Sequence, residues 1–262
     1  MKRRRKTFVG GNLVKIVEYT PVFPCDTPQI RREKKKVTSL AQRAQNLKKA
    51  QDKLELKLAA NFSSRDYFVT FTYKPGQDPS DRKQVKKHKA QYIRRLREIR
   101  SRRGQPLKWI FSIEDKHGDG RYHMHAVINS TGFQSDQEEI ISLWDYGHVH
   151  IERLFNQAHD SGDQFNTWLQ LAIYMTKERP EDGHDDTPNG WQIYSCSRNL
   201  DKPIELPSEW TDEAGPIKLP QGAVLIASES KTTENRYGEF QYIKYMTEPL
   251  RPFIPSNRRK PI

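Results

Sequence analysis

The stretch from Trp109 to Asn129, WIFSIEDKHGDGRYHMHAVIN, constrains the fold more than any other part of the chain. Ile110 to Glu114 and Tyr122 to Ile128 are rich in aliphatic and aromatic residues, and the His-Gly-Asp-Gly between them (117–120) is turn chemistry. The pattern predicts an antiparallel hairpin. With those four residues as the loop, Lys116 faces Arg121, Asp115 faces Tyr122 and Glu114 faces His123. Side chains alternate along a strand, so His123 and His125 share a face, and the directly opposed Glu114 joins them. Tyr122, Met124 and Ala126 fall on the other face and suit a core. Two imidazoles and a carboxylate on a rigid hairpin can hold one divalent ion and leave coordination positions open. The same three residues can also be ordinary hydrogen-bonded polar groups, and a register slip of one residue would take Glu114 off the face.

The flanking segments predict an α+β chain. Asp66 to Tyr73 (DYFVTFTY) reads as a strand closed by Lys74-Pro75-Gly76. Asp81 to Arg103 reads as a helix with an apolar stripe of Val85, Tyr92, Leu96 and Ile99, basic elsewhere, and stopped by Gly104 and Pro106. Ser135 to Trp144 reads as a short helix, with Ser135 and Glu138 in a capping-box pattern. Gly147 to Arg153 alternates like a strand, and Asp163 to Arg179 reads as a helix ended by Pro180. The order β, α, β, β, (α), β, α matches a ferredoxin-like, split β-α-β antiparallel sheet with helices packed on it. Residues 1–30 read as irregular, 31–60 as one or two basic helices and 181–192 as an acidic loop, while 193–262 carry no clear assignment.

Charge narrows the partners. The net charge is +12, but residues 1–110 hold 30 Lys+Arg against 9 Asp+Glu, and the remainder is acidic. A basic half of this kind is the footprint of a phosphate-backbone binder. No apolar run is long enough for a membrane span, and the basic start MKRRRKTFVGG lacks the apolar stretch of a secretory signal. Two cysteines, Cys25 and Cys196, suit a reducing compartment and no disulfide framework.

The last helix supplies a second set of residues. Tyr174, Lys177 and Glu178 stand three and four residues apart and can share a side. A tyrosine beside a metal and a lysine points to nucleophilic attack on phosphorus. A phenol ionises only near pH 10 and so needs assistance. A metal would act as Lewis acid on the phosphate, and Lys177 could neutralise charge developing there. A core tyrosine with a snorkelling lysine is the competing reading.

Taken in order, FVTFTY, Ser-Ile-Glu-Asp, Arg-Tyr-His-Met-His and Tyr-Met-Thr-Lys-Glu resemble the single-tyrosine HUH endonucleases. The nearest resemblance is to the rolling-circle replication initiators of phages and plasmids. Asn61-Phe62 and Ser195-Cys-Ser-Arg-Asn-Leu200 extend it to residues 60–203 or so. The resemblance implies an HUH endonuclease domain at 61–203. Residues 1–60 then form a basic, mostly helical N-terminal extension, and 204–262 a C-terminal extension of unassigned role. It implies Mg²⁺ or Mn²⁺ held by Glu114, His123 and His125, with Tyr174 as nucleophile and Lys177 in support. Tyr174 would stay joined to the 5′ phosphate of single-stranded or hairpin origin DNA, release a 3′ hydroxyl and allow rejoining. Lys74, Arg94, Arg95, Arg121 and Arg198 are the expected DNA contacts. No Gly-Lys-Ser/Thr phosphate loop occurs, so a host helicase and polymerase in the bacterial cytoplasm are the expected partners.

Other readings remain. The same chemistry serves transposases and mobilisation relaxases. A non-enzymatic basic nucleic-acid binder needs only the charge. A two-His-one-carboxylate iron oxygenase is disfavoured because both histidines sit on one strand. A second His-hydrophobe-His, His148-Val149-His150, lacks the facing Glu, and Tyr242-Ile-Lys-Tyr245 echoes the Tyr174 segment without the following Lys.

Overall fold

The computed structural model describes residues 2–21, 40–114, 121–154, 167–177, 193–211, 215–235 and 238–247. The hairpin's turn, residues 31–39 of the basic helical stretch, the acidic loop, Cys25 and Glu178 lie outside these residues. In chain order the elements are β1 (Arg3–Gly10), β2 (Leu13–Tyr19), α1 (Leu40–Asn61), β3 (Tyr67–Tyr73), α2 (Arg82–Arg102), β4 (Trp109–Glu114), β5 (His123–Ile128) and α3 (Asp136–Ser142). They continue with β6 (Gly147–Arg153), α4 (Leu169–Tyr174), β7 (Tyr194–Cys196), β8 (Ile204–Glu205), β9 (Glu209–Thr211), β10 (Val224–Leu225), β11 (Lys231–Asn235) and β12 (Gly238–Met246). No helix among the described residues is long and apolar enough to cross a membrane. The chain divides into two units, one of Asn61–His159 with Trp168–Asp201, the other of Met1–Ala60, Asp160–Thr167 and Lys202–Ile262.

The central unit holds a five-stranded sheet in the order β6-β3-β5-β4-β7, every pairing antiparallel. β3 and β4 run parallel with β5 between them and are linked through α2, the split β-α-β arrangement expected from the element order. Strand alternation divides the sheet cleanly. Tyr67, Val69, Phe71 and Tyr73 of β3, Phe111 and Ile113 of β4, and Met124, Ala126 and Ile128 of β5 enter one core. Val85, Tyr92, Ile93 and Leu96 of α2, with Ile140 and Trp144 from the α3 region, cover that face. Asp81 starts α2 as N-cap, its carboxylate accepting from the Gln84 backbone N–H at 2.7 Å.

Local details depart from the sequence-based expectations. The buried stripe of α2 runs through Ile93 and Arg100 rather than Ile99. The capping box at α3 does not form, because the Ser135 hydroxyl donates to the Glu139 carboxylate at 2.7 Å and makes no cap hydrogen bond. The last helix is described only from Leu169, and it ends at Tyr174. The Thr176 hydroxyl donates to the Ala172 carbonyl at 2.7 Å, closing the helix before Lys177.

The other unit corrects the reading of both ends. Residues 3–19 form a hairpin, not an irregular segment, and the 1–60 region is therefore not mostly helical. Gly10 pairs with Leu13, leaving Gly11-Asn12 as a two-residue turn with Gly11 at φ 59°, a standard hairpin signal. Gly10 also lets α1 approach, since a Cβ there would collide with the Leu56 carbonyl oxygen. The C-terminal segment completes the same sheet: β12 pairs with β2 and carries β10 and β11, while β8 and β9 pair with β1. Tyr242 and Tyr245 thus lie on a strand, not on a helix like Tyr174. The Tyr242 hydroxyl donates to Asp52 at 2.9 Å.

A buried ionic network ties α1 to this sheet. Lys244 of β12 reaches Glu55 and Glu229, and Lys15 of β2 reaches Asp52. Glu55 is fully buried with Oε1 unpartnered, and burial raises its carboxyl to about 7 against the pull of Lys244. Removing one partner of such a pair strands the other charge. Lys244→Met should therefore destabilise the chain by about 3–5 kcal/mol in denaturant titrations, and adding Glu55→Gln should restore much of the loss. An unchanged midpoint for Lys244→Met would show that the pair holds nothing.

Candidate active site

The sheet face opposite the core is where the predicted residues meet. Its side chains fall in rows across the strands. Thr70 of β3 pairs with His125 of β5, and His125 pairs with Ser112 of β4. One row further, Thr72 pairs with His123, and His123 with Glu114. The hairpin register is therefore the one read from sequence, and Glu114, His123 and His125 share a face.

His125 is the hub of the site. Its Nε2 lies 2.8 Å from Glu114 Oε2 and 3.4 Å from the Tyr174 hydroxyl, while its Nδ1 lies 3.1 Å from the Thr70 hydroxyl. Phe68 stacks on the imidazole with ring centroids 5.8 Å apart and meets the Tyr174 ring edge-on. Lys177 Nζ sits 3.3 Å from Glu114 Oε1 and 3.7 Å above the Tyr174 ring centroid. α4 and the turn after it thus place a phenol and an ammonium over an imidazole–carboxylate pair. The His125 hydrogen bond holds the Glu114 carboxyl down at about 2, and Lys177 adds to the effect against burial.

His123 is half-buried beside Glu114, but no group of three or more His, Cys, Asp or Glu side chains among the described residues is arranged to hold a metal. Two of the expected donors do fit a hard cation. Adjacent donors on an octahedral ion with bonds near 2.1 Å stand about 3 Å apart, close to the 2.8 Å between His125 Nε2 and Glu114 Oε2. The low carboxyl pKa keeps Glu114 ionised, as a ligand must be.

The remaining candidates disperse. Lys74 follows β3 and Arg121 precedes β5, both exposed at the end of the sheet that carries His123 and Glu114. Arg94 and Arg95 lie on α2, over the opposite face, and Arg95 pairs with Asp145. Arg198 is exposed beyond β7, at the end of the sheet away from Glu114. His148 and His150 share the polar face, but on β6, paired with Thr72 and Thr70, and His150 binds Glu152 at 2.8 Å. Sequence reasoning missed Thr70 and Phe68. Alternation in DYFVTFTY does put them on one face, but their approach to His125 depends on the β3–β5 register, which local sequence does not specify.

An antiparallel α+β sheet with a polar face of this composition defines the domain in structural terms. Residues 66–179, from just before β3 to just past α4, match the sequence model of the replication-associated protein ORF2 family, which fits a replication initiator. No curated protein and no solved structure matches the chain.

The depressed Glu114 carboxyl gives a pH signature. A lowered folded-state pKa contributes stability above the unfolded value, and that stability is lost as pH falls through the folded value. With chelator present, stability should therefore fall between pH 4.5 and about 2, by up to about 3 kcal/mol from this group. Glu114→Gln should flatten that segment of the pH–stability curve. Identical curves for the two proteins would mean that Glu114 gains nothing from His125 and Lys177.

Proposed function

We propose that the central unit is a metal-dependent DNA-nicking and joining enzyme that initiates rolling-circle replication through a 5′-phosphotyrosyl intermediate. The observation that carries the reading is the Tyr174 hydroxyl 3.4 Å from His125 Nε2, with Glu114 2.8 Å from that same nitrogen. The family match over residues 66–179 supports the replication role.

Tyr174 Oη attacks the scissile phosphorus and loses its proton. The bond from phosphorus to the 3′ oxygen breaks, and that oxygen takes up a proton to become a 3′ hydroxyl. Reversal by a 3′ hydroxyl rejoins the strand, because the phosphotyrosyl ester replaces one phosphodiester by another. Glu114, His125 and His123 would hold Mg²⁺ or Mn²⁺, which would supply Lewis-acid polarisation of the phosphate. Lys177 neutralises charge on the phosphate oxygens from its place over the phenol. Thr70 holds the His125 ring by its Nδ1, and Phe68 limits its rotation. Lys74 and Arg121 flank the path of the strand at the Glu114 end of the sheet. An unpaired or hairpin substrate follows from the need to bring one phosphate in line with the phenol. A host helicase and polymerase would open the duplex and extend the 3′ end.

The test is covalent trapping on single-stranded origin DNA with Mn²⁺. The wild-type chain should form an adduct whose peptide map places DNA on Tyr174, and Tyr174→Phe should form none. Lys177→Ala should slow adduct formation by about 10²–10³-fold, the usual cost of one electrostatic group at a developing charge. An adduct that persists in Tyr174→Phe assigns the nucleophile elsewhere.

A further inference from the structure

The basic residues of α2 do not share one fate. Arg82 donates to the Ile113 carbonyl at 3.2 Å, Lys89 to Ser195 at 2.8 Å and Arg100 to Asn129 at 2.8 Å. Arg95 pairs with Asp145 and Arg102 with Glu98. These side chains fasten the helix to its surroundings or pair along it. Lys83, Lys86, Lys87, Arg94 and Arg97 are all exposed, and among the described residues they make no ion pair or side-chain hydrogen bond. Lys83, Lys87, Arg94 and Arg97 recur at i, i+4, i+11 and i+14, which places them along one outward line. At 1.5 Å per residue that line is about 21 Å long. It points away from the sheet, because Val85, Tyr92, Ile93 and Leu96 face the core.

We propose that this outward face of α2 binds the phosphate backbone of double-stranded DNA, on the side of the sheet opposite Tyr174. Like charges in a rigid row repel one another, and a polyanion relieves that cost by releasing its condensed counterions. The duplex is favoured over a single strand for two reasons. Its axial charge density is about twice as high, one charge per roughly 1.7 Å. Single-strand grooves add aromatic rings on which bases stack, whereas the one tyrosine of α2, Tyr92, is buried and His88 is already stacked on Tyr146. Choosing DNA over other polyanions rests on the nicking reading. The stripe would hold duplex that flanks the origin while an unpaired strand lies on the polar face.

The experiment compares the full-length chain with Lys83→Gln/Lys87→Gln/Arg94→Gln/Arg97→Gln. Fluorescence anisotropy is measured against salt for a duplex of arbitrary sequence about 20 base pairs long, roughly two helical turns, and for one strand of it. Nicking of a short single-stranded origin oligonucleotide is measured in the same preparations. For four lost contacts the duplex slope of log affinity against log salt should become shallower by about 3–4. Single-strand binding and nicking should change less than about twofold, and substituting arginine for the lysines should preserve duplex binding. Exposed helix positions make Gln a safe replacement for folding, and single variants should each remove about one unit of slope. An unchanged duplex slope overturns the proposal, as does an equal loss of single-strand affinity. If neither protein nicks, the catalytic reading fails by itself, and the salt slopes still decide the α2 surface.

Discussion

One row of the sheet holds the site together: Thr70, His125 and Ser112, side by side on three antiparallel strands. Because side chains alternate with a period of two, a slip of one residue in either pairing would turn His125 into the core. The core prevents that slip. Phe71, Phe111 and Met124 occupy the opposite face and are almost fully buried, so slippage would exchange apolar side chains for Thr, Ser and His. At about 1.5–3 kcal/mol per large apolar side chain, several such exchanges exceed the stability of a typical domain. The polar face inherits its geometry from the apolar one.

That coupling accounts for what could be read from sequence. The β4–β5 hairpin is local, so its register, and with it the Glu114–His123 pairing, follows from a turn and an alternation. The strands of β3 and β6 and the helix of α2 carry their own periodicity and were legible as elements. Thr70 and Phe68 were not legible as site residues, because β3 meets β5 only through a pairing of residues far apart in the chain. Tyr174 and Lys177 were legible as neighbours, since residues three apart meet at a helix end as well as within a helix. Their position over His125 is a tertiary fact. The N-terminal hairpin shows a different failure. Its Gly11-Asn12 turn is a plain local signal, but the basic run Arg3-Arg4-Arg5-Lys6 hides the strand. Those cations are satisfied across the sheet instead: Arg3 and Arg5 both reach Glu18, and Arg3 also reaches Glu239.

Charge therefore means different things in different parts of the chain. Counted from sequence, the basic front half looks like one electrostatic surface. In the fold, Arg3, Arg5 and Lys15 are paired with Glu18 and Asp52 inside one unit, and much of α2 is anchored as well. What remains for a polyanion is a smaller, ordered set of side chains. Burial and pairing separate structural cations from available ones, and net charge alone cannot.

The topology bears on how the two units form. The residues of the central unit run from Asn61 to Asp201 almost without interruption, so most of its pairings close loops within one stretch of chain. The other unit needs β12 against β2, a pairing such as Ile16 with Ile243 across the whole central stretch. For a flexible loop the entropic cost of closure grows only logarithmically, about 0.6 kcal/mol per doubling of length. A folded central unit shortens the effective loop further, because its chain entropy is already lost. The edge of β2 that β12 covers, with Val14, Ile16 and Val17 along it, stays an open strand edge until the C-terminal segment arrives. Open apolar edges invite pairing with other chains. The buried Lys244–Glu55 pair sits on the strand that closes that edge, and a strand without that lysine would leave Glu55 stranded in the core. The ionic network thus makes the correct strand distinguishable from a merely apolar one, at the cost of burying charge.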